Sequence, residues 1–172
     1  MMMKMLEAGG IEPLTDQIRV ADEDNPRGYY EFEKVKKLEE DSAWLAEAVG
    51  KVVKVISQLL YKLPVDYRYK VVFMRRTIDE ILASQREMLK RRGQDDGGAN
   101  DEKLRQLFTR HLEEIEEWLA AQENFEVLYI SYNEVVQSAR EKSASINHFL
   151  GGQLDEEEMV AAVDRGLYRQ RK

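Results

Sequence analysis

The chain has 172 residues, which suits a single domain, and 43% of them are hydrophobic, which is enough for a core. The absence of cysteine excludes disulfides, thiol nucleophiles and cysteine-bound zinc, and two separated histidines make a histidine metal site unfavourable. A net charge of −7 argues against nucleic-acid binding, and no apolar run is long enough to cross a membrane. We therefore expect a cytoplasmic protein that binds no nucleic acid, no membrane and no metal.

The first predicted elements are a helix and a loop. Residues Met1–Ala8 have a helix-forming composition and precede Gly9 and Gly10, which suit a left-handed C-terminal cap. No N-capping residue stands before this helix, which suggests that a segment once preceded it: either the chain begins further upstream, or the gene is truncated. Residues 11–28 are polar and rich in turn-forming residues, which predicts a long surface loop.

Short apolar runs alternate with helical patterns along the rest of the chain. The predicted strands are Lys51–Ile56, Lys70–Met74 and Glu126–Ile130. The predicted helices are Ile78–Arg92, Glu102–Ala121, Asn133–Leu150 and Asp155–Val163. This alternation is typical of parallel strands joined by crossover helices, and it predicts one three-layer α/β domain over residues 1–172, with a parallel sheet flanked by helices. Such a sheet normally opens with a strand whose following turn binds phosphate, whereas this chain begins at the helix.

Arg75 and Arg76 directly follow the second predicted strand. Ligands of open α/β sheets bind beyond the carboxyl ends of the strands, where a guanidinium can form two hydrogen bonds to a phosphate. Ser84 follows Arg76 by eight residues, two turns into the next helix. The same spacing is equally consistent with arginines that are solvated or pair with Asp79 and Glu80, and with Ser84 as an ordinary helix residue.

The run RRTIDEILAS, residues 75–84, resembles a segment of the sulfotransferases. In that family an arginine at a strand end and a serine eight residues later hold the 3'-phosphate of the donor, 3'-phosphoadenosine 5'-phosphosulfate. The matching residues here are Arg76 and Ser84, and Ile78 replaces the usual proline. The run FEVLYISYNEVVQSAREKSASINHFLGG, residues 125–152, is similar to a family strand, helix start and helix end. The second similarity supports the fold and not catalysis, and together the two imply a P-loop-type (nucleoside-triphosphate-hydrolase-like) α/β fold.

Further similarities suggest an acceptor side. The loop NPRGYYEFE, residues 25–33, resembles the acceptor loop of bacterial sulfotransferases, which makes Glu31 the candidate general base; the competing interpretation is a surface acid beside aromatic residues. Lys54 resembles a family lysine near the donor or acceptor, although packing of its aliphatic part explains it equally well. A basic tail with Arg165, Arg169 and Arg171 resembles a family loop that reaches the 3'-phosphate, but its glycine-rich part is absent.

One part of the family pattern is missing. The family's donor site begins with a strand and a Pro-x-Ser-Gly-Thr loop, whose backbone N–H groups hold the 5'-phosphosulfate and which leads into a helix resembling MMMKMLEAGG. This sequence contains no such loop. We therefore expect a partial sulfotransferase domain, truncated at the N-terminus and without its first strand. Because the neighbours of that strand would expose backbone edges, we also expect the chain to be unstable or prone to aggregation by itself.

The resemblance implies transfer of a sulfuryl group from 3'-phosphoadenosine 5'-phosphosulfate to a hydroxyl or amine, on a small-molecule, glycan or peptide acceptor and without a metal. The alternative is an inactive remnant that acts, if at all, as a protein-interaction module through its sheet edge. A relative of the P-loop kinases is disfavoured because no Gly-Lys-Ser/Thr sequence is present. The acceptor is left open, as is the choice between a monomer and a homodimer.

Overall fold

Two parallel strands form the central layer of the fold. The computed structural model describes residues 1–16, 18, 28–91, 93–94, 97–98 and 100–164. Strand β1 (Tyr69–Arg75) pairs with strand β2 (Phe125–Ser131) over the whole length of both, beginning with Tyr69 opposite Phe125. The second and third strands predicted from the sequence are confirmed.

The strand predicted over Lys51–Ile56 is wrong. Only Val52 makes a bridge, opposite Pro13, and the rest of the run lies outside any strand. At this bridge the N–H of Val52 donates to the carbonyl of Glu12 at 3.0 Å and the N–H of Leu14 donates to the carbonyl of Val52 at 2.9 Å. Val53 and Val55 pack instead against an apolar cluster around Trp44.

Six α-helices lie around the sheet in the described part of the chain. They are α1 (Met2–Ala8), α2 (Ile78–Arg91), α3 (Asp101–Ala120), α4 (Tyr132–Gln137), α5 (Ala139–Leu150) and α6 (Glu156–Ala161). The segment before β1 contains short 3₁₀ helices at Glu33–Lys37, Ala43–Ala46 and Ser57–Lys62. No helix among the described residues combines the length and apolar character needed to span a membrane.

The long helix predicted over Asn133–Leu150 is divided at Ser138. The backbone of Ser138 has φ −128° and ψ 51°, outside the helical region. Its N–H donates to the carbonyl of Glu134 at 2.7 Å, and its own carbonyl accepts from the N–H of Lys142 at 3.0 Å. Ser138 thus ends α4 and starts α5, whose far end is capped by Gly151 at φ 117°, as the sequence predicted.

Side chains of the two strands point alternately to two apolar layers. Val72 and Ile130 belong to a core formed with α1, α4, α5 and α6. Phe73 and Phe125 belong to a second core on the opposite face, together with Ile115 of α3. The period of two along each strand therefore buries both faces of the sheet. The chain has an α/β fold with a parallel sheet flanked by helices.

Candidate functional site

The carboxyl ends of β1 and β2 lie side by side at one edge of the sheet. Arg75 and Ser131, the last residues of the two strands, are paired. Arg76 follows β1 and Tyr132 follows β2, at the points where the chain turns into α2 and α4. Because ligands of open α/β sheets bind beyond this edge, the residues here form the candidate donor site.

Arg76 is held there by a carboxylate and an aromatic ring. Its Nε donates to Oε2 of Glu80 at 3.0 Å, and its guanidinium carbon lies 5.2 Å from the centre of the Tyr132 ring. The pairing with Glu80 is one of the arrangements that the spacing left open. It occupies Nε, and no residue of the described chain bonds to the two terminal NH2 groups of Arg76. These groups remain as donors for an anion.

Glu80 is itself buried, and each of its carboxylate oxygens accepts a hydrogen bond. Its side chain is 7% exposed, and its second oxygen accepts a hydrogen bond from Nδ2 of Asn133 at 3.1 Å. Asn133 stands in the first turn of α4, so the carboxylate joins the ends of both strands. Burial raises the pKa of Tyr132 beside it, although the Arg76 cation opposes part of that rise.

The side chain of Arg75 lies on the opposite face of the sheet. Its Nε donates to Oε1 of Glu116 on α3 at 2.9 Å, and its guanidinium carbon lies 4.2 Å from the centre of the Tyr129 ring. Successive residues at a strand end point to opposite faces, which explains why the neighbouring arginines differ. Pairing with Asp79, one of the alternatives that the spacing left open, is not seen for either arginine; Asp79 bonds to Arg105 of α3.

Ser84 lies on α2 and is exposed. It follows Glu80 by four residues, so the two lie on the same face of the helix, one turn apart. Arg76 reaches that face through its bond to Glu80. No hydrogen bond joins the Ser84 hydroxyl to Arg76 or to any other described residue.

Glu31 and Lys54 come together at a second point. Nζ of Lys54 lies 3.8 Å from the Glu31 carboxylate and donates to the backbone carbonyl of Tyr29 at 2.9 Å. The hydroxyl of Thr15 donates to the Glu31 carbonyl at 2.9 Å, which fixes the backbone of the loop. The structure thus brings into contact two residues that the sequence suggested separately as site residues. The amine of Lys54 lies at the protein surface, which the packing interpretation also predicts.

The loop that carries Glu31 has an unusual conformation. Tyr30 has φ 51°, in the left-handed region that a bulky side chain rarely adopts and that costs about 1–3 kcal/mol. Its hydroxyl donates to the carboxylate of Glu7 at the end of α1. Burial and this bond raise the pKa of Tyr30 to about 12, so the phenol keeps its proton and the bond is maintained at neutral pH.

A cavity of about 960 Å³ lies beside β1. Its wall includes Lys54 on one side, Tyr132 on another and β1 from Tyr69 to Met74. On this side β1 pairs with no strand among the described residues. Of the candidate residues, only Lys54 lines this cavity; Tyr132, which contacts Arg76, lines it as well.

The basic tail that the sequence suggested for the 3'-phosphate lies outside the described residues; its arginines are Arg165, Arg169 and Arg171. In the part of the chain that is described, no group of three or more histidine and acidic side chains is arranged to hold a metal ion.

The sequence did not identify the buried carboxylate as part of the site. The sequence alone indicates that Glu80 can pair with an arginine and that Asn133 begins a helix. The available signals were the i, i+4 spacing of Arg76 and Glu80 and the position of Asn133 two residues after the end of a predicted strand. Neither signal shows that the two elements meet, because that depends on strand pairing.

Comparison with known proteins identifies the family to which the chain belongs. The sequence model of the sulfotransferase domain matches residues 29–172, which is most of the chain. The match includes Glu31, Lys54, Arg76 and Ser84. No curated protein and no solved structure matches the chain. Because the match covers more than half of the chain, it shows that the chain belongs to the sulfotransferase domain family.

Proposed function

We propose that the protein transfers a sulfuryl group from 3'-phosphoadenosine 5'-phosphosulfate to a hydroxyl or amine of an acceptor. In this reaction the S–O bond to the donor's phosphate breaks, and a new bond forms between sulfur and the acceptor oxygen or nitrogen. The acceptor's proton passes to a base, and adenosine 3',5'-bisphosphate leaves. The protein's part is to position the two substrates and to stabilise the charge that develops.

This proposal rests on the position of Arg76 and on the hydrogen-bond donors that it keeps available. The residue is fixed at the carboxyl edge of β1 through Nε, while its terminal NH2 groups bond to no described residue. They would hold the 3'-phosphate of the donor, with help from the exposed hydroxyl of Ser84. The N-terminus of α2 directly follows Arg76 and adds a partial positive charge at the same place.

The acceptor side would be formed by Glu31 and Lys54. An ionised carboxylate at Glu31 would take the proton from the acceptor as it attacks sulfur. The ammonium group of Lys54, 3.8 Å from that carboxylate and on the cavity wall, would stabilise negative charge on the group in transfer. The cavity lined by Lys54 and Tyr132 would admit an acceptor of small-molecule size.

Binding of the product nucleotide tests the proposal. Isothermal titration calorimetry with adenosine 3',5'-bisphosphate should show binding to the wild-type chain, and Arg76→Ala should weaken it by about ten- to hundredfold, the value of a lost charge-assisted hydrogen bond. Arg76→Lys keeps the positive charge but loses the planar fork, so it should also bind more weakly while leaving Glu80 paired.

Arg110→Ala serves as the matched control, because Arg110 is 79% exposed on α3 and pairs only with Glu114 in the described chain. It should bind the nucleotide as the wild type does. Equal affinity of the wild type and a folded Arg76→Ala variant would refute the proposed donor site. No binding by a folded wild-type chain would leave a sulfotransferase fold without transfer activity of its own.

A further inference from the structure

Glu80 is the single ionisable side chain that is buried among the described residues. Both of its oxygens are used, one by Nε of Arg76 at 3.0 Å and one by Nδ2 of Asn133 at 3.1 Å. The carboxylate thus joins three elements: the end of β1, the first turn of α2 and the first turn of α4. Its place beside a candidate ligand-binding arginine calls for an explanation, since a carboxylate repels the anion that the arginine would bind.

Stability by itself does not explain the cluster. Removing a carboxylate from water is costly, and a buried ion pair often stabilises a fold less than apolar side chains of the same size would. The arrangement also leaves the side-chain oxygen Oδ1 of Asn133 buried with no hydrogen-bond partner in the described part of the chain, which costs about 1–3 kcal/mol. The cluster therefore retains polar groups at a site where packing alone would favour apolar ones.

Orientation of Arg76 explains these costs. A guanidinium is planar and rigid, so two contacts fix it completely. The bond from Nε to Glu80 sets its direction, and the Tyr132 ring at 5.2 Å sets its tilt. The terminal NH2 groups are then aimed without the loss of rotamer freedom that a mobile arginine would suffer on binding an anion.

We propose that Glu80, anchored by Asn133, is a positioning residue that orients the guanidinium of Arg76 for the 3'-phosphate of the donor. The inference rests on the proposed function, because it assigns a ligand to Arg76. Orientation and electrostatics predict opposite changes in anion affinity when Glu80 is neutralised. Neutralising Glu80 makes the site more positive and would strengthen binding of an anion, whereas loss of orientation weakens it.

The experiment compares two nucleotides on Glu80→Gln, a variant of nearly the same shape that lacks the charge. Calorimetry should show binding of adenosine 3',5'-bisphosphate weakened about tenfold, with binding of adenosine 5'-phosphate unchanged, because only the first carries the 3'-phosphate. Asn133→Ala, which keeps the carboxylate, should show a smaller loss of the same kind and serves if Glu80→Gln fails to fold. Unchanged or tighter binding of the bisphosphate by the folded variants overturns the inference.

A second readout separates this inference from the proposed function. If the wild type binds both nucleotides alike, the assignment of the 3'-phosphate to Arg76 fails. The orientation of Arg76 is measured without ligand by NMR, from the hydrogen exchange of its Nε–H, assigned with Arg76→Lys. We expect slow exchange in the wild type and fast exchange in Glu80→Gln. Exchange in the wild type as fast as that of Arg110 overturns the positioning role whatever the nucleotides do.

Discussion

Arg76 lies over the ring of Tyr132, with its guanidinium carbon 5.2 Å from the ring centre. The two residues meet because each directly follows the last residue of a strand, and those last residues, Arg75 and Ser131, are paired. A slip of one residue in the pairing would turn every side chain of one strand to the other face of the sheet. The register of a two-stranded ladder thus builds the centre of the candidate donor site.

Replacing Tyr132 should show what its ring contributes. Tyr132→Phe keeps the face on which the guanidinium lies and should bind adenosine 3',5'-bisphosphate as the wild type does. Tyr132→Ala removes an interaction of about 0.5–1 kcal/mol and should weaken binding by about two- to fivefold in calorimetry. Equal affinities of the two variants would show that the ring does not support Arg76.

Replacing Glu31 should impair the chemical step and not donor binding. With an acceptor chosen from a panel of phenols and amines, Glu31→Gln should lower kcat by about 10²–10⁴-fold, the usual contribution of a general base. Its affinity for adenosine 3',5'-bisphosphate should stay unchanged. Glu33→Gln is the matched control, because Glu33 is a nearby acid that pairs with Lys36. A variant at Glu31 with full turnover would identify this residue as an ordinary surface acid.

Position 115 should be sensitive to loss of volume. Ile115 of α3 is fully buried against Phe73 and Phe125, so Ile115→Ala should lower the free energy of unfolding by about 2–5 kcal/mol in urea denaturation. Leu107→Ala on the same helix should change it by less than about 0.5 kcal/mol, because Leu107 is 55% exposed. Similar losses at the two positions would mean that α3 does not pack on the sheet with this face.

Deprotonation of Tyr69 should lower the stability of the folded protein at high pH. Burial, with smaller contributions from Tyr67 and Asp66, raises the pKa of Tyr69 to about 12. The folded protein therefore holds this proton more tightly than the unfolded chain, and the resulting stabilisation is complete below about pH 10 and is lost as the pH rises through about 12. The melting temperature of Tyr69→Phe should decline less steeply over this range than that of the wild type. Parallel declines would show that the phenol of Tyr69 titrates as it does in the unfolded chain.

The open edge of β1 should promote self-association. Within the described chain β1 has a strand on one side only, and its other side faces the cavity. Unpaired N–H and C=O groups at such an edge can pair with another chain. We expect light scattering to rise with protein concentration, and the thermal transition to be broad. A soluble monomer at all concentrations, with a sharp cooperative transition, would contradict this prediction.

The sequence by itself determined the elements whose signals are local. Apolar periodicity predicted β1, β2 and the helices that follow them, and the glycine after α5 predicted its left-handed cap. It also located Arg76 at a strand end and Ser84 two helical turns further on. These properties depend on neighbouring residues along the chain, so one sequence is enough to indicate them.

Only the tertiary structure decided which residues meet. The apolar run Lys51–Ile56 has the composition of a strand but no ladder, because a strand requires a partner and its contact with Pro13 supplies one bridge. In the same way, Arg75 pairs with Glu116 and Arg76 with Glu80, and Asn133 reaches that carboxylate from another element. Such contacts follow from strand register and helix packing, which bring together residues far apart in the chain, and no local pattern records them.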